Sequence, residues 1–189
     1  MTIIEKLKSR RAIRNYETRD VEDEKIMKLL EAAVWAPNDR MREPWGFYVV
    51  KNDAKQKYEN LAIDYLKERF PTKPHLIESS LKVVKSTPVL IIVTSDIVPG
   101  DEASSIDNEY AVSCAIHSMW LASKDLDLGF VWRTRGVGLA RDRRLYEFIG
   151  SPENKKIIGT VFIGYPDPEV VSKMKEPVRT PFEEKTIWM

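Results

Sequence analysis

The sequence predicts an α+β fold in which helices flank a central mixed sheet. Stretches with helical rhythm and stretches rich in β-branched residues interleave, yet not in the regular strand–helix–strand order of a doubly wound sheet. Pro88-Val89-Leu90-Ile91-Ile92-Val93-Thr94 is apolar at every second and every intervening position, as in a central strand covered on both faces. No linker, repeat or low-complexity tract divides the 189 residues, so a single domain over 1–189 is expected.

The elements follow in order. A short helix is expected from about Ile3 to Ser9, with Ile3, Ile4 and Leu7 on one face. In the next, Ile26, Leu29, Leu30, Ala33 and Val34 keep a 3.6-residue rhythm. Glu22, Asp23 and Glu24 suit the positive end of its dipole, and Pro37 and Asn38 stop it. Gly46–Val50 reads as a strand, Ala54–Arg69 as a charged helix and Ile77–Lys85 as another. After the central strand, 95–105 reads as a polar connection. A long helix then covers Asp107–Asp127, with Gly129 at its C-terminal cap. Phe130–Thr134 is a strand, Arg141–Phe148 a helix, and Ile157–Ile163 the last strand. The segment 166–189 carries four prolines and no period, so it is expected to be an extended tail. Ordering such a tail alone is entropically unfavourable, whereas packing on a partner subunit would bury it.

Composition removes several function classes. Thirty basic residues face 29 acidic ones, which argues against a dedicated nucleic-acid binder. A 43% hydrophobic, 31% charged chain with no long apolar run, a charged N-terminus and one cysteine is expected to be soluble and cytoplasmic, with no membrane partner. With two histidines and Cys114 alone, no closed metal site is expected. His117, on a long apolar helix, reads as a packed core histidine. There is no phosphate-binding glycine loop, and Gly136-Val137-Gly138 reads as a turn. Neither serine pair has a histidine-containing neighbourhood that would activate a hydroxyl.

Arginines and aromatics remain. Arg10-Arg11-Ala12-Ile13-Arg14 places three guanidinium groups within five positions. Alone it reads as a solvated basic turn. Guanidinium is also a rigid, permanently charged fork that matches phosphate and ring-carbonyl oxygens. Arg40 and Arg42 lie in the loop after the second helix, Trp132-Arg133-Thr134 at a strand end, and Arg179 in the tail. Element ends and loops are where sites are built.

Four blocks, in order, resemble the FMN-dependent nitroreductase family, in particular its short single-domain subgroup. Arg10-Arg11-Ala12-Ile13-Arg14 is similar to the family's opening Arg-Arg-Ser-x-Arg. The stretch from Ala36-Pro37-Asn38 to Pro44-Trp45 is similar to its Ala-Pro-Ser-x-x-Asn-x-Gln-Pro-Trp segment. Gly129-Phe130-Val131-Trp132-Arg133-Thr134 resembles Gly-x-x-Trp-Arg-Ser, and Arg179-Thr180-Pro181-Phe182-Glu183-Glu184 the family's tail. The resemblance implies a mainly antiparallel sheet in a three-layer fold, an intertwined homodimer with the 166–189 tail on the partner, and an FMN site at each interface. It assigns Arg10 to the FMN phosphate and Arg14 to the ribityl chain or flavin edge, where it would also stabilise flavin negative charge. Arg11 and Ala12 would offer main-chain contacts. The turn Trp35 to Asp39, with Pro37 and Asn38, would come from the other subunit. Trp132, Arg133 and Thr134 would line the phosphate end, assisted by Arg179, and 122–127 would meet the nicotinamide.

Ala12 stands in place of the usual serine, Met41 of asparagine and Glu43 of glutamine. The implied function is an NAD(P)H oxidoreductase, passing hydride from NADH or NADPH through FMN to a small acceptor such as a nitroaromatic, quinone or enone. No catalytic side chain is then needed beyond the cofactor. A non-catalytic flavin-handling protein is the alternative, suggested by the altered loop at Met41 and Glu43.

Overall fold

A computed structural model describes residues 2–189. Four strands form one sheet: β1 Trp45–Val50, β2 Val89–Asp96, β3 Gly129–Arg133 and β4 Lys155–Gly164. Their order is β1-β2-β4-β3, and all three pairings are antiparallel. The helices are α1 Ile3–Ser9, α2 Asp23–Val34, α3 Asn52–Arg69, α4 Pro74–Ser86, α5 Glu102–Ser123, α6 Arg143–Phe148 and α7 Pro168–Ser172. No helix among the described residues is long and apolar enough to cross a membrane.

The double-sided apolar strand read from the sequence is the centre of the fold. Val89, Ile91 and Val93 face α2 and α5, packing with Leu29, Val112, Ile116 and Met119. Leu90 and Ile92 face α3 and α4, packing with Tyr58, Leu66 and Val84. Strand alternation thus divides the protein into two cores, one on each side of the sheet.

Several boundaries differ from the sequence reading. Helix α5 begins at Glu102 rather than Asp107, because the Asp101 carboxylate accepts from the Ser104 N–H and caps it five residues earlier. At the other end Asp127, not Gly129, takes the left-handed position, with φ 57°. His117 is exposed rather than packed in the core. Apolar and polar residues are spread around this helix without a one-sided stripe, so periodicity could not tell its buried face from its open one. The tail holds α7 and a 3-10 turn at Phe182–Lys185, with irregular backbone between.

Gly129 belongs to β3, where a different constraint requires it. The chain after α1 runs along the free edge of β3, and the Ile13 N–H donates to the Phe130 carbonyl at 3.1 Å. The Tyr16 hydroxyl lies 2.7 Å from the Ile13 carbonyl and 2.9 Å from that of Phe162, sharing its proton between them. Burial pushes the Tyr16 phenol well above its ordinary range, so this anchor stays protonated. A Cβ at Gly129 would sit 2.7 Å from Ile13 Cγ2 and 3.1 Å from Tyr16 Cε1.

Gly129→Ala should therefore lift this segment from the sheet and destabilise the protein by about 1–3 kcal/mol, as overpacking does. A shifted urea midpoint would report it. Adding Ile13→Ala, which removes the nearer of the two clashing Ile13 atoms and leaves only Cβ at 2.9 Å, should cost less than the two single changes together.

Candidate functional site

The strapped segment crosses the edge of the sheet and delivers arginines to both faces. Arg10 is the C-cap of α1. Its guanidinium lies over the Trp120 ring of α5, 3.9 Å from the centroid, on the α2–α5 side. It lines a cavity of about 750 Å³ together with Arg11, Arg179 and Lys8, and with two carboxylates, Glu5 and Glu176. Burial, then the charges of Arg179 and Arg11, push the Arg10 pKa down. Arg11 donates to the Lys8 carbonyl at 2.7 Å and to that of Arg10 at 3.0 Å, so it caps the helix end. Ala12 packs against the core on the α3–α4 side.

Arg14 and Arg133 form a second pair. Arg133 follows Trp132 in β3 and so points to the opposite face. Its guanidinium stands 5.2 Å from the Phe162 ring, in the α3–α4 core. Burial first, then the Arg14 charge, lowers its pKa. Trp132 packs against the α2–α5 core, its Nε1 directly above Gly159. Thr134 is exposed and borders depressions of about 540 and 370 Å³ that hold Arg141 and Asp142. Arg10, Arg11 and Arg179 are thus brought together, as are Arg14 and Arg133, while Trp132 and Arg133 lie on opposite faces.

Among the described residues, six buried side-chain nitrogen or oxygen atoms have no hydrogen-bond partner. Three are Arg10 Nε, Trp132 Nε1 and Arg133 Nε. All three are donors, and neither guanidinium has a carboxylate in an ion pair. A desolvated donor without an acceptor costs about 1–3 kcal/mol. Clustered cations without an anion add repulsion. The residues present fit a ligand that brings acceptor oxygens and negative charge, as a phosphorylated flavin does.

The turn 35–39 lies elsewhere. Trp35 is 83% exposed, and Pro37 and Asp39 are exposed too. Asn38 fastens the loop by accepting from the Glu43 N–H at 2.9 Å. Arg40, Met41 and Glu43 all have left-handed backbone, with φ of 52°, 55° and 47°. Such conformations are unfavourable for non-glycine residues and persist only where surroundings hold them. Here Arg42 does so. It pairs with Asp39 and donates to Ser104 Oγ at 3.0 Å, which donates to Asp101. Ser104 is at the start of α5 and Trp120 near its end. The sixteen steps from one to the other span about 24 Å at a rise of about 1.5 Å per residue. Within the chain the loop and Arg10 stand at opposite ends of a rod.

The 122–127 segment ends α5. Lys6 pairs with Asp125 at 2.5 Å and Lys25 donates to the Leu126 carbonyl at 2.7 Å. The sequence reading missed Trp120, His117 and the Arg42–Ser104–Asp101 anchor. Each partners a residue far away in the chain, so no local pattern marks it.

The Nitroreductase family pattern matches residues 7–165. The chain belongs to the nitroreductase family. YfhC of Bacillus subtilis, which carries an NAD(P)H nitroreductase name, is 28% identical over 185 residues, covering 94% of this chain and 91% of YfhC. The crystal structure of a nitroreductase-like family protein from Bacillus cereus superposes with a TM-score of 0.84 at 25% identity, over 100% of this chain and 96% of that one. The FMN-dependent nitroreductase NfnB of Mycobacterium smegmatis, in complex with NADPH, shares the fold with a TM-score of 0.79 at 17% identity, over 98% and 97%. The nitroreductase fold is therefore the frame on which this arginine cluster is built.

One titratable group reports on the cluster. Burial and then the Arg10 charge hold the His117 pKa below its ordinary value. An anion at Arg10 opposes that charge and so raises the pKa. By linkage, the anion binds more tightly as pH falls through the His117 titration. Sulfate, which does not itself titrate in this range, should bind a few-fold more tightly at pH 5.5 than at pH 8 by calorimetry, and His117→Asn should flatten the dependence.

Proposed function

We propose that this nitroreductase-family chain is an FMN-dependent NAD(P)H oxidoreductase that reduces a small organic acceptor. The observation that carries the reading is the half-buried guanidinium cluster at the β3 edge, in which neither Arg10 nor Arg133 makes an ion pair although Glu5 and Glu176 line the same cavity as Arg10, in a chain of this family. NfnB, with the same fold, is FMN-dependent and binds NADPH. FMN, when bound, supplies the hydride chemistry.

The protein's part is to hold and tune it. Arg10, with Arg179 beside it, would bind the phosphate, where a charge-assisted contact also satisfies the orphaned Nε. Arg11, committed to the α1 carbonyls, would fix the main chain next to it. Arg14 is exposed beside the half-buried Arg133 and would present its charge to the flavin edge, favouring electron density there. Nitroaromatics, quinones and enones are the acceptor classes, and NADH or NADPH the donor. The unpaired Cys114 suits a reducing compartment, and we assign the protein to the cytoplasm.

The site is completed by a second copy. The Trp35 to Asp39 turn and Arg10 cannot reach one ligand within a subunit, but a two-fold partner running α5 the other way would bring them together. The tail is poised for the same partner: Val178 is 95% exposed and Trp188 90%, while Phe182 and Ile187 are also open. Residues 166–189 would pack there as the arm of an intertwined dimer.

The purified protein should be yellow, and anaerobic NADH or NADPH should bleach it; FMN that binds but is not bleached would mark a flavin-handling protein instead. Arg10→Ala should weaken FMN binding roughly 10- to 100-fold, the worth of a desolvated charged hydrogen bond. Light scattering should give the mass of a dimer, and a chain truncated after Pro177 should fall to a monomer that retains little FMN.

A further inference from the structure

Arginine side chains on a protein surface are usually steered by a carboxylate. The Arg10 guanidinium has none; what holds it is an aromatic stack. Its carbon lies 3.9 Å from the centroid of the Trp120 ring. Behind Trp120, at 5.3 Å between centroids and 25° between planes, lies the Phe130 ring. Phe130 is buried in β3, and its main-chain carbonyl accepts from Ile13, three residues along from Arg10. The two ends of the stack are therefore tied to the same strap.

This contact has a directional consequence. A cation held over a ring face gains from the ring's quadrupole without using any of its N–H groups, since these radiate in the guanidinium plane. A carboxylate would fix Arg10 equally well but would occupy the same donors that an anionic ligand needs. The indole holds the guanidinium over its face without taking up an N–H group. Arg10 Nε, buried and without a partner, is the direct sign of donors kept in reserve.

We propose that Trp120 is a positioning residue for the anion site: it stacks on Arg10, backed by Phe130, and presents the guanidinium fork to the phosphate of FMN. The inference rests on the cofactor reading of the cluster. It makes Trp120 selective for the phosphate group, with no part in holding the flavin ring.

FMN and riboflavin differ only by that phosphate, so their affinities separate this role from a general structural one. Both are titrated against the full-length apoprotein by flavin fluorescence, with circular dichroism checking the fold. The wild type should bind FMN more tightly than riboflavin. Trp120→Leu should weaken FMN about tenfold, the upper range of a partly desolvated cation–aromatic contact, and leave riboflavin unchanged. Trp120→Phe, which restores a ring face, should recover most of the loss. In an Arg10→Ala background the Trp120→Leu change should have no further effect on FMN, because the group it positions is gone. If Trp120→Leu does not fold, Trp120→Met takes its place with the same expectations. Unchanged FMN affinity, or equal loss of FMN and riboflavin, would overturn the positioning role while leaving the cofactor assignment standing. A wild type that binds neither flavin would overturn both.

Discussion

The strap of residues 10–16 along the free edge of β3 is the constraint on which the rest of the site depends. An exposed strand edge invites pairing with other chains, and proteins cover it in various ways. Here the cover does more. Ile13 and Tyr16 fasten it with one main-chain bond and one shared hydroxyl, and Gly129 leaves the room they need. Because the strap passes from one face of the sheet to the other, Arg10 comes to lie over Trp120 while Arg14, four positions on, stands beside Arg133. A basic pentapeptide that would be a solvated turn in isolation becomes two cationic contacts flanking one strand.

The electrostatics of this arrangement run against stability. Arg10 and Arg133 are desolvated, each faces another guanidinium, and each keeps its charge because arginine does not release its proton at any physiological pH. Elsewhere the chain pairs its charges in the ordinary way, as in Lys55–Glu59 and the Arg144–Asp142 fork. Local rules are thus obeyed across most of the surface and broken where a ligand of opposite sign would relieve them. Such a breach is the mark of a functional site. The strained backbone at Arg40, Met41 and Glu43 is a second breach, held in place by Arg42 against the start of α5.

The legibility of the fold from sequence followed the range of the forces involved. Strand β2 was readable because seven consecutive apolar or β-branched residues leave no polar face, and α2 because its stripe is clean. The ends of α5 were not. Its start depends on one aspartate capping a turn of small polar residues, and its stop on Asp127 accepting a left-handed conformation that glycine would usually take. His117 was misread because the apolar residues of α5 form no one-sided stripe that would mark its open side. At the site, the arginines were visible as a dense run of like charge, whereas Trp120 was not. An aromatic on a helix reads as core until the cation stacked on it, 110 positions earlier, is known.

In the dimer we propose, helix α5 would separate the two halves of the site as a ruler does. Its N-terminal end carries the anchored loop and its C-terminal end the arginine stack, so in a two-fold dimer neither subunit owns a complete site. In that arrangement the unit of inheritance for activity would be the interface, not the chain. A lesion at Arg10 in one copy and a lesion in the Arg42 loop in the other would fall together in one site and leave the second site wholly intact. Two inactive chains could in this way make a half-active dimer, and a single chain with both lesions could not.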